Sequence, residues 1–192
     1  IESLLTNYKL VICDEAFISI VPGGEDQSII DLTKSYENLI VIRSLTKFLG
    51  VAGLRVGYVI TNSERLLKWK KIRDPWPLNT LAINAINMIM DDTKMHQRRL
   101  NKIHRWVKEE GKWLHNSFSD FSSLRPLPSS TNYQLIKSRY PILNILENMK
   151  KRGILLRDCR SFIYLNENWF RISLKKREDN IQIINTLKEY IK

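Results

Sequence analysis

Residues 41–59 read Val-Ile-Arg-Ser-Leu-Thr-Lys-Phe-Leu-Gly-Val-Ala-Gly-Leu-Arg-Val-Gly-Tyr-Val. The apolar run at 39–42 has the character of a buried strand. It gives way to a polar turn carrying Ser44, Thr46 and Lys47. Gly50, Gly53 and Gly57 follow with Arg55 among them, and a second apolar run occupies 56–60. Small residues let backbone approach a ligand, while hydroxyl and backbone N–H groups hold phosphate. A desolvated lysine amine is a nucleophile toward carbonyl carbon. Taken alone, a strand-end lysine beside hydroxyls is also the ordinary form of a solvated turn. The rest of the chain has to decide between the two.

Composition narrows the field. Hydrophobic content of 43% against 27% charged supports a packed core and disfavours disorder. No apolar run approaches the roughly 18–20 residues that span a bilayer, and no signal peptide is visible. The net charge of +11 raises nucleic acid as a partner. The cations nevertheless fall in groups, Lys68 to Arg73, Arg98 to Arg105 and Lys175 to Arg177, each at helical spacing opposite apolar residues. That is the pattern of solvated helix faces, and the reading is of no nucleic-acid or membrane partner. Cys13 and Cys159 are isolated and lack metal spacing, which fits a reducing cytoplasm. The chain opens at Ile1 in what reads as a helix-to-strand connection, so a fragment of a longer protein is expected.

Before the central stretch, residues 8–13 read as a strand running into Asp14-Glu15-Ala16-Phe17. A carboxylate at the end of a buried strand needs a cation or a donor, or else serves as a cap. A short helix is expected over 28–36, and another over 64–72 with Ser63 as N-cap. The break Asp74-Pro75-Trp76-Pro77-Leu78-Asn79 leads into a helix over 80–90. A long helix follows from 91 to about 118, with Trp106 and Trp113 on one face as core residues. His96, His104 and His115 share that helix without ligand spacing, so no metal site is read. Strands at 133–136, 154–159 and 169–174 alternate with helices at 141–151 and 178–191. Arg157 and Arg171 each lie in a mostly apolar strand, where a guanidinium suits two-point capture of carboxylate or phosphate. The expected fold class is α/β. Residues 1–90 form part of a larger domain with a mixed sheet flanked by helices, and residues 91–192 form a small α+β domain.

Ser44-Leu-Thr-Lys47 also matches the Ser-x-x-Lys of penicillin-binding proteins, but the Ser-Asp-Asn and Lys-Thr-Gly that should follow are missing from the sequence. Ser44, Thr46, Lys47 and, after seven more residues, Arg55 resemble instead the lysine segment of fold-type I pyridoxal-phosphate enzymes, the class I/II aminotransferase family. That resemblance implies that Lys47 carries pyridoxal 5′-phosphate covalently, and that Asp14 pairs with the protonated pyridine nitrogen. It assigns Ser44, Thr46 and Arg55 to the cofactor phosphate, and Arg157 and Arg171 to an anionic substrate.

Phe17 stands where aminotransferases of the family usually carry tyrosine. The strings Asp14-Glu15-Ala16-Phe17-Ile18, Pro75-Trp76 with Asn79, and Gly153-Ile-Leu-Leu-Arg-Asp-Cys159 resemble the threonine-phosphate decarboxylase branch, which acts in cobalamin biosynthesis. Ile163-Tyr164-Leu165-Asn166 departs from the Pro-Gly-Leu-Asp usual there. The implied substrate is a small phosphorylated amino acid, and the implied assembly is a homodimer of the full-length protein. A histidinol-phosphate-type aminotransferase is the alternative. A folded but inactive fragment is the other, because the family's phosphate loop, ring-stacking aromatic and phenolic-oxygen asparagine belong to an N-terminal half outside this sequence.

Overall fold

The computed structural model describes residues 1–191. The chain divides into two compact units, Ile1–Ile103 and from His104 onward. In the first unit, helix α1 (Glu2–Asn7) leads to strand β1 (Val11–Asp14), and after short 3-10 turns comes β2 (Leu39–Ser44). Helix α2 (Leu45–Leu49), strand β3 (Gly57–Ile60), and helices α3 (Ser63–Ile72) and α4 (Thr80–Asp91) follow. Helix α5 (Thr93–Ser117) then carries the chain across the division.

The sheet order is β1-β2-β3, with β1 parallel and β3 antiparallel to β2. Side chains alternate across a sheet, so Leu39 and Val41 face one side. There they pack with Leu5, Val11, Cys13, Ile29, Ile30, Leu32, Tyr36 and Ile60. Asn38 ties the entry to this sheet, donating its side-chain N–H to the carbonyls of Leu5 and Tyr8 at 2.8 Å each. Ile12, Ile42 and Val59 lie on the opposite face and are exposed.

The second unit contains β4 (Leu124–Pro126), β5 (Tyr133–Ser138), helix α6 (Leu143–Lys151), β6 (Arg157–Asp158), β7 (Trp169–Ser173) and helix α7 (Arg177–Tyr190). Its antiparallel sheet has the order β4-β5-β7-β6. Ile136, Phe170 and Ile172 point to one face, where Leu114, Phe118, Met149, Ile184 and Leu187 complete a core. Trp106 and Trp113 pack against that core, as their spacing implied.

The mixed α/β architecture is the one expected, and several local expectations change. Asn62, not Ser63, caps α3, its Oδ1 accepting the Arg65 N–H at 2.8 Å. Both residue types cap well, and α3 begins one residue earlier than expected. The helix expected over 28–36 is a 3-10 turn at Ile30–Lys34. The strand expected over 154–159 pairs only at Arg157–Asp158, and β4 had no visible signal because it is three residues long beside prolines. His96, half-buried, packs against Phe48 with ring centroids 4.7 Å apart and the rings tilted by 50°. No helix among the described residues is long and apolar enough to cross a membrane.

One ion pair in the second unit makes the electrostatics testable. Glu110 accepts from Arg177 Nη2 at 2.9 Å and Nε at 3.1 Å, and from the Asn180 side chain at 2.9 Å. The Arg177 bonds hold the Glu110 carboxyl below its ordinary value of 4.5 against the opposing effect of burial. A carboxylate depressed in the folded state stabilises it above the unfolded value and loses that contribution as pH falls. Glu110→Gln should therefore destabilise the protein by about 1–2 kcal/mol at neutral pH, the value being moderated by the part-exposed arginine. In urea titrations the gap between parent and variant should close as the pH is taken below 4.5.

Candidate functional site

The parallel pairing of β1 with β2 brings two strand ends side by side. Asp14, the last residue of β1, is in register with Ile42, and Ser44 lies two residues beyond on the same face. Carboxyl ends of adjacent parallel strands are where open α/β sheets place ligands. Asp14 is exposed, with Oδ1 accepting the Ala16 N–H at 2.9 Å.

At the end of β2 the chain turns directly into α2. Ser44 is its N-cap, with Oγ accepting from Thr46 N–H at 3.3 Å and lying 2.8 Å from Thr46 Oγ1. The two hydroxyls thus form one polar pair at the start of the turn. Lys47, one residue on, is exposed, and its Nζ sits 5.5 Å from the centroid of the Phe17 ring. The loop after β1 and the helix after β2 therefore converge on the same place.

Gly50 ends α2 in the left-handed region at φ 69°, where a side chain would be strained. Arg55 adopts φ 52°, a non-glycine residue in that same region. Its Nη1 donates to the Ala52 carbonyl at 3.1 Å. The Leu45 N–H donates to the Val56 carbonyl at 3.2 Å, which ties the segment carrying Arg55 to the start of α2. Asp14, Ser44, Thr46, Lys47 and Arg55 thus occupy one end of a parallel strand pair and the loops that leave it. Asp14 and Lys47 face solvent, although the strands that lead to them are largely apolar. Strand ends project beyond the sheet, and periodicity does not register that.

Beneath these residues lies a buried charge cluster that the sequence reading passed over. Arg43 and Glu15 have side chains 4% exposed, and Arg43 Nε sits 2.9 Å from Glu15 Oε2 as an ion-pair contact. The guanidinium donates through Nη1 and Nη2 to the two Glu25 oxygens at 2.8 and 3.0 Å, and through Nη2 to Ser28 Oγ at 2.8 Å. Glu15 also accepts from Ser28 Oγ and from the Ile29 N–H, each at 2.9 Å. Burial works against the Arg43 charge, but the Glu25 bonds and the Glu25 and Glu15 charges outweigh it and the guanidinium holds its proton more tightly than usual. The signal was present, an arginine inside an apolar strand and a second carboxylate next to Asp14.

Arg157 and Arg171 belong to the second unit. They are direct cross-strand partners on β6 and β7, so their side chains leave the same face of the sheet. Sequence separation had given no reason for them to meet. Arg171 is half-buried, with Cζ 4.6 Å from the Tyr133 ring centroid, and its buried Nε has no hydrogen-bond partner among the described residues. Arg157 is exposed, with Nη2 donating to Ser161 Oγ at 3.3 Å and Cζ 5.8 Å from the Phe162 ring centroid. Burial therefore does not account for Arg157. Among the described residues neither guanidinium has a carboxylate partner in an ion pair. Ile163 and Tyr164, where the sequence departs from the expected pattern, lie on an exposed loop after Arg157.

Comparison with known proteins gives this geometry a context. The chain is 30% identical over 179 residues to a Caldanaerobacter subterraneus subsp. tengcongensis protein carrying the provisional name threonine-phosphate decarboxylase, covering 93% of this chain and 48% of that one. It is 32% identical over 190 residues to the histidinol-phosphate aminotransferase of Francisella philomiragia subsp. philomiragia, with 98% and 50% covered. The crystal structure of the histidinol-phosphate aminotransferase from Clostridium acetobutylicum superposes with a TM-score of 0.87 at 26% identity, over 98% of this chain and 56% of that one. The chain spans about half the length of the curated relatives it matches. The model of the aminotransferase class I and II family matches residues 2–187, and the chain belongs to that family, whose cofactor is pyridoxal 5′-phosphate.

Proposed function

We propose that the full-length protein bearing this chain decarboxylates L-threonine O-3-phosphate to (R)-1-aminopropan-2-ol O-phosphate and carbon dioxide. The residues at the strand ends fit the family cofactor by their chemistry. Lys47 offers an exposed amine, Asp14 a carboxylate with one oxygen bonded to backbone, and Ser44, Thr46 and Arg55 hydroxyl and guanidinium donors for a phosphate.

When bound, the cofactor supplies a ring system that accepts the electron pair of a bond broken at the substrate Cα. Lys47 would provide the amine that holds the cofactor covalently and, once freed, a group able to carry a proton. Asp14 keeps the pyridine nitrogen protonated through its negative charge. Ser44, Thr46 and Arg55 anchor the phosphate and so fix the orientation of the ring. Arg157 and Arg171 would bind the two anionic groups of the substrate. In a decarboxylation the bond from Cα to the carboxylate would break, carbon dioxide would leave, and a proton would take its place on Cα.

The observation that carries this reading is the cross-strand pairing of Arg157 with Arg171. Like charges placed opposite each other weaken a sheet, and a dianionic substrate removes that repulsion. Phe17, beside Lys47, lacks the phenol that the family's aminotransferases usually present there, which favours decarboxylation. The second reading, a histidinol-phosphate-type aminotransferase, draws on the Francisella relative of that name. The reading also carries a homodimeric, cytoplasmic enzyme of cobalamin biosynthesis, an extension that rests on the resemblance. A chain of this length by itself, about half of its relatives, is read as inactive.

Product analysis separates the two activities. The full-length protein should release carbon dioxide and aminopropanol phosphate from O-phosphothreonine in equal amounts without a keto acid. A strict requirement for a keto acid, with the amino group recovered on it, would establish transamination instead. Lys47→Ala should abolish the cofactor adduct trapped by borohydride, and an adduct persisting on another lysine would sink the assignment. Arg171→Ala should raise KM for O-phosphothreonine about ten- to a hundred-fold, since a charge-assisted bond contributes roughly 1.5–3 kcal/mol. The melting temperature should hold, because the substitution also removes the repulsion from Arg157.

A further inference from the structure

Arg43 immediately precedes Ser44, and Glu15 immediately follows Asp14. Glu15 extends the parallel ladder by one step, its N–H donating to the Ile42 carbonyl at 2.8 Å. Alternation therefore turns Glu15 and Arg43 to one face and Asp14 and Ser44 to the other. Elsewhere on the inner face, Val11, Cys13, Leu39, Val41 and Ile60 make an uncharged surface. The charged pair stands at the end that carries the candidate site. The Arg43 backbone is confined as well, since a Cβ on Gly57 would come within 2.8 Å of the Arg43 carbonyl oxygen.

Buried ion pairs are weak contributors to stability compared with apolar residues of the same volume. Their distinguishing property is direction, because a guanidinium fork accepts carboxylates in few orientations. We infer that Arg43, held by Glu15 and Glu25, is a positioning residue that sets the twist of the two strand ends and thereby aims Asp14 and Ser44 at the cofactor. Glu25 brings in the loop after β1 and Ser28 the turn beyond it, so one side chain gathers the segments around Phe17 against the end of β2. Rotation of either strand end would carry Asp14 and Ser44 out of their shared direction.

The inference rests on the cofactor assignment made above, and its test separates the two. The full-length protein is compared with Arg43→Leu, with Glu25→Gln, and with Glu110→Gln as a control that loses an ion pair in the other unit. Two quantities are read, the dissociation constant for pyridoxal 5′-phosphate and, in the cofactor-free proteins, amide hydrogen exchange at Ala16 and Thr46. Those N–H groups bond to Asp14 Oδ1 and Ser44 Oγ and report their placement directly. Arg43→Leu should weaken cofactor binding about ten-fold or more and speed exchange at both amides by a similar factor. Glu25→Gln should act in the same direction by a smaller factor, and Glu110→Gln should move neither quantity. Glu25 is 46% exposed, so its variant decides the matter if Arg43→Leu does not fold. Faster exchange in Arg43→Leu, found alongside a parent protein that binds no cofactor, would uphold the positioning role and overturn the cofactor assignment alone. Unchanged exchange and unchanged cofactor affinity in Arg43→Leu and Glu25→Gln would overturn the inference.

Discussion

The parallel ladder between β1 and β2 is the constraint on which the candidate site depends. Its register sets Asp14 against Ile42. That alone determines that a carboxylate and, two residues further along the neighbouring strand, a hydroxyl leave the same face at the same end. An antiparallel partner would have put the amino end of one strand beside the carboxyl end of the other. A slip of one residue would have turned Ser44 to the inner face. Apolar burial protects the register. Leu39 and Val41 are fully buried against Leu5 and the turn carrying Ile29, Ile30 and Leu32, and a slip would expose them.

The second unit faces a different electrostatic problem. Its sheet places two guanidinium groups directly opposite each other, which a folded chain tolerates when burial elsewhere outweighs it. Here the opposite face supplies that burial through Ile136, Phe170 and Ile172. The Tyr133 ring gives Arg171 an aromatic surface in place of an anion. The remaining positive charge is dispersed over helix faces, where Lys68, Lys70 and Lys71 on α3 and Lys102 and Arg105 on α5 are exposed. The net charge of +11 is therefore mostly a property of solvated helices. The arginine pair is set apart by its place in a sheet, not by its charge.

Both units use arginine at a strand position, with opposite solutions. Arg43 is enclosed, and Glu15 and Glu25 answer its charge within the fold. Arg157 and Arg171 share a face without such answers. A buried guanidinium without an anion would be costly by several kcal/mol, so the closed strand ends require Glu15 and Glu25 beside Arg43. Arg157 is exposed and Arg171 only half-buried, so that pair is under a weaker demand and stays available.

Much of the chain's organisation was legible in the sequence because it is local. Apolar runs marked β2, β5 and β7, helical spacing marked α5, and the order Ser44, Thr46, Lys47, Arg55 marked the turn after β2. These features depend on residues a few positions apart. Ser63 was misread as the α3 cap, the 28–36 helix proved a 3-10 turn, and β4 went unseen, each for want of a strong local signal. The sequence by itself determined which residues have the chemistry of a site and which strands carry them. Tertiary structure alone decided that Arg157 stands opposite Arg171, that Phe17 lies beside Lys47, and that Arg43 reaches Glu15, Glu25 and Ser28. The physical reason is that sheet register and loop closure set contacts between distant positions, and local periodicity contains no term for either.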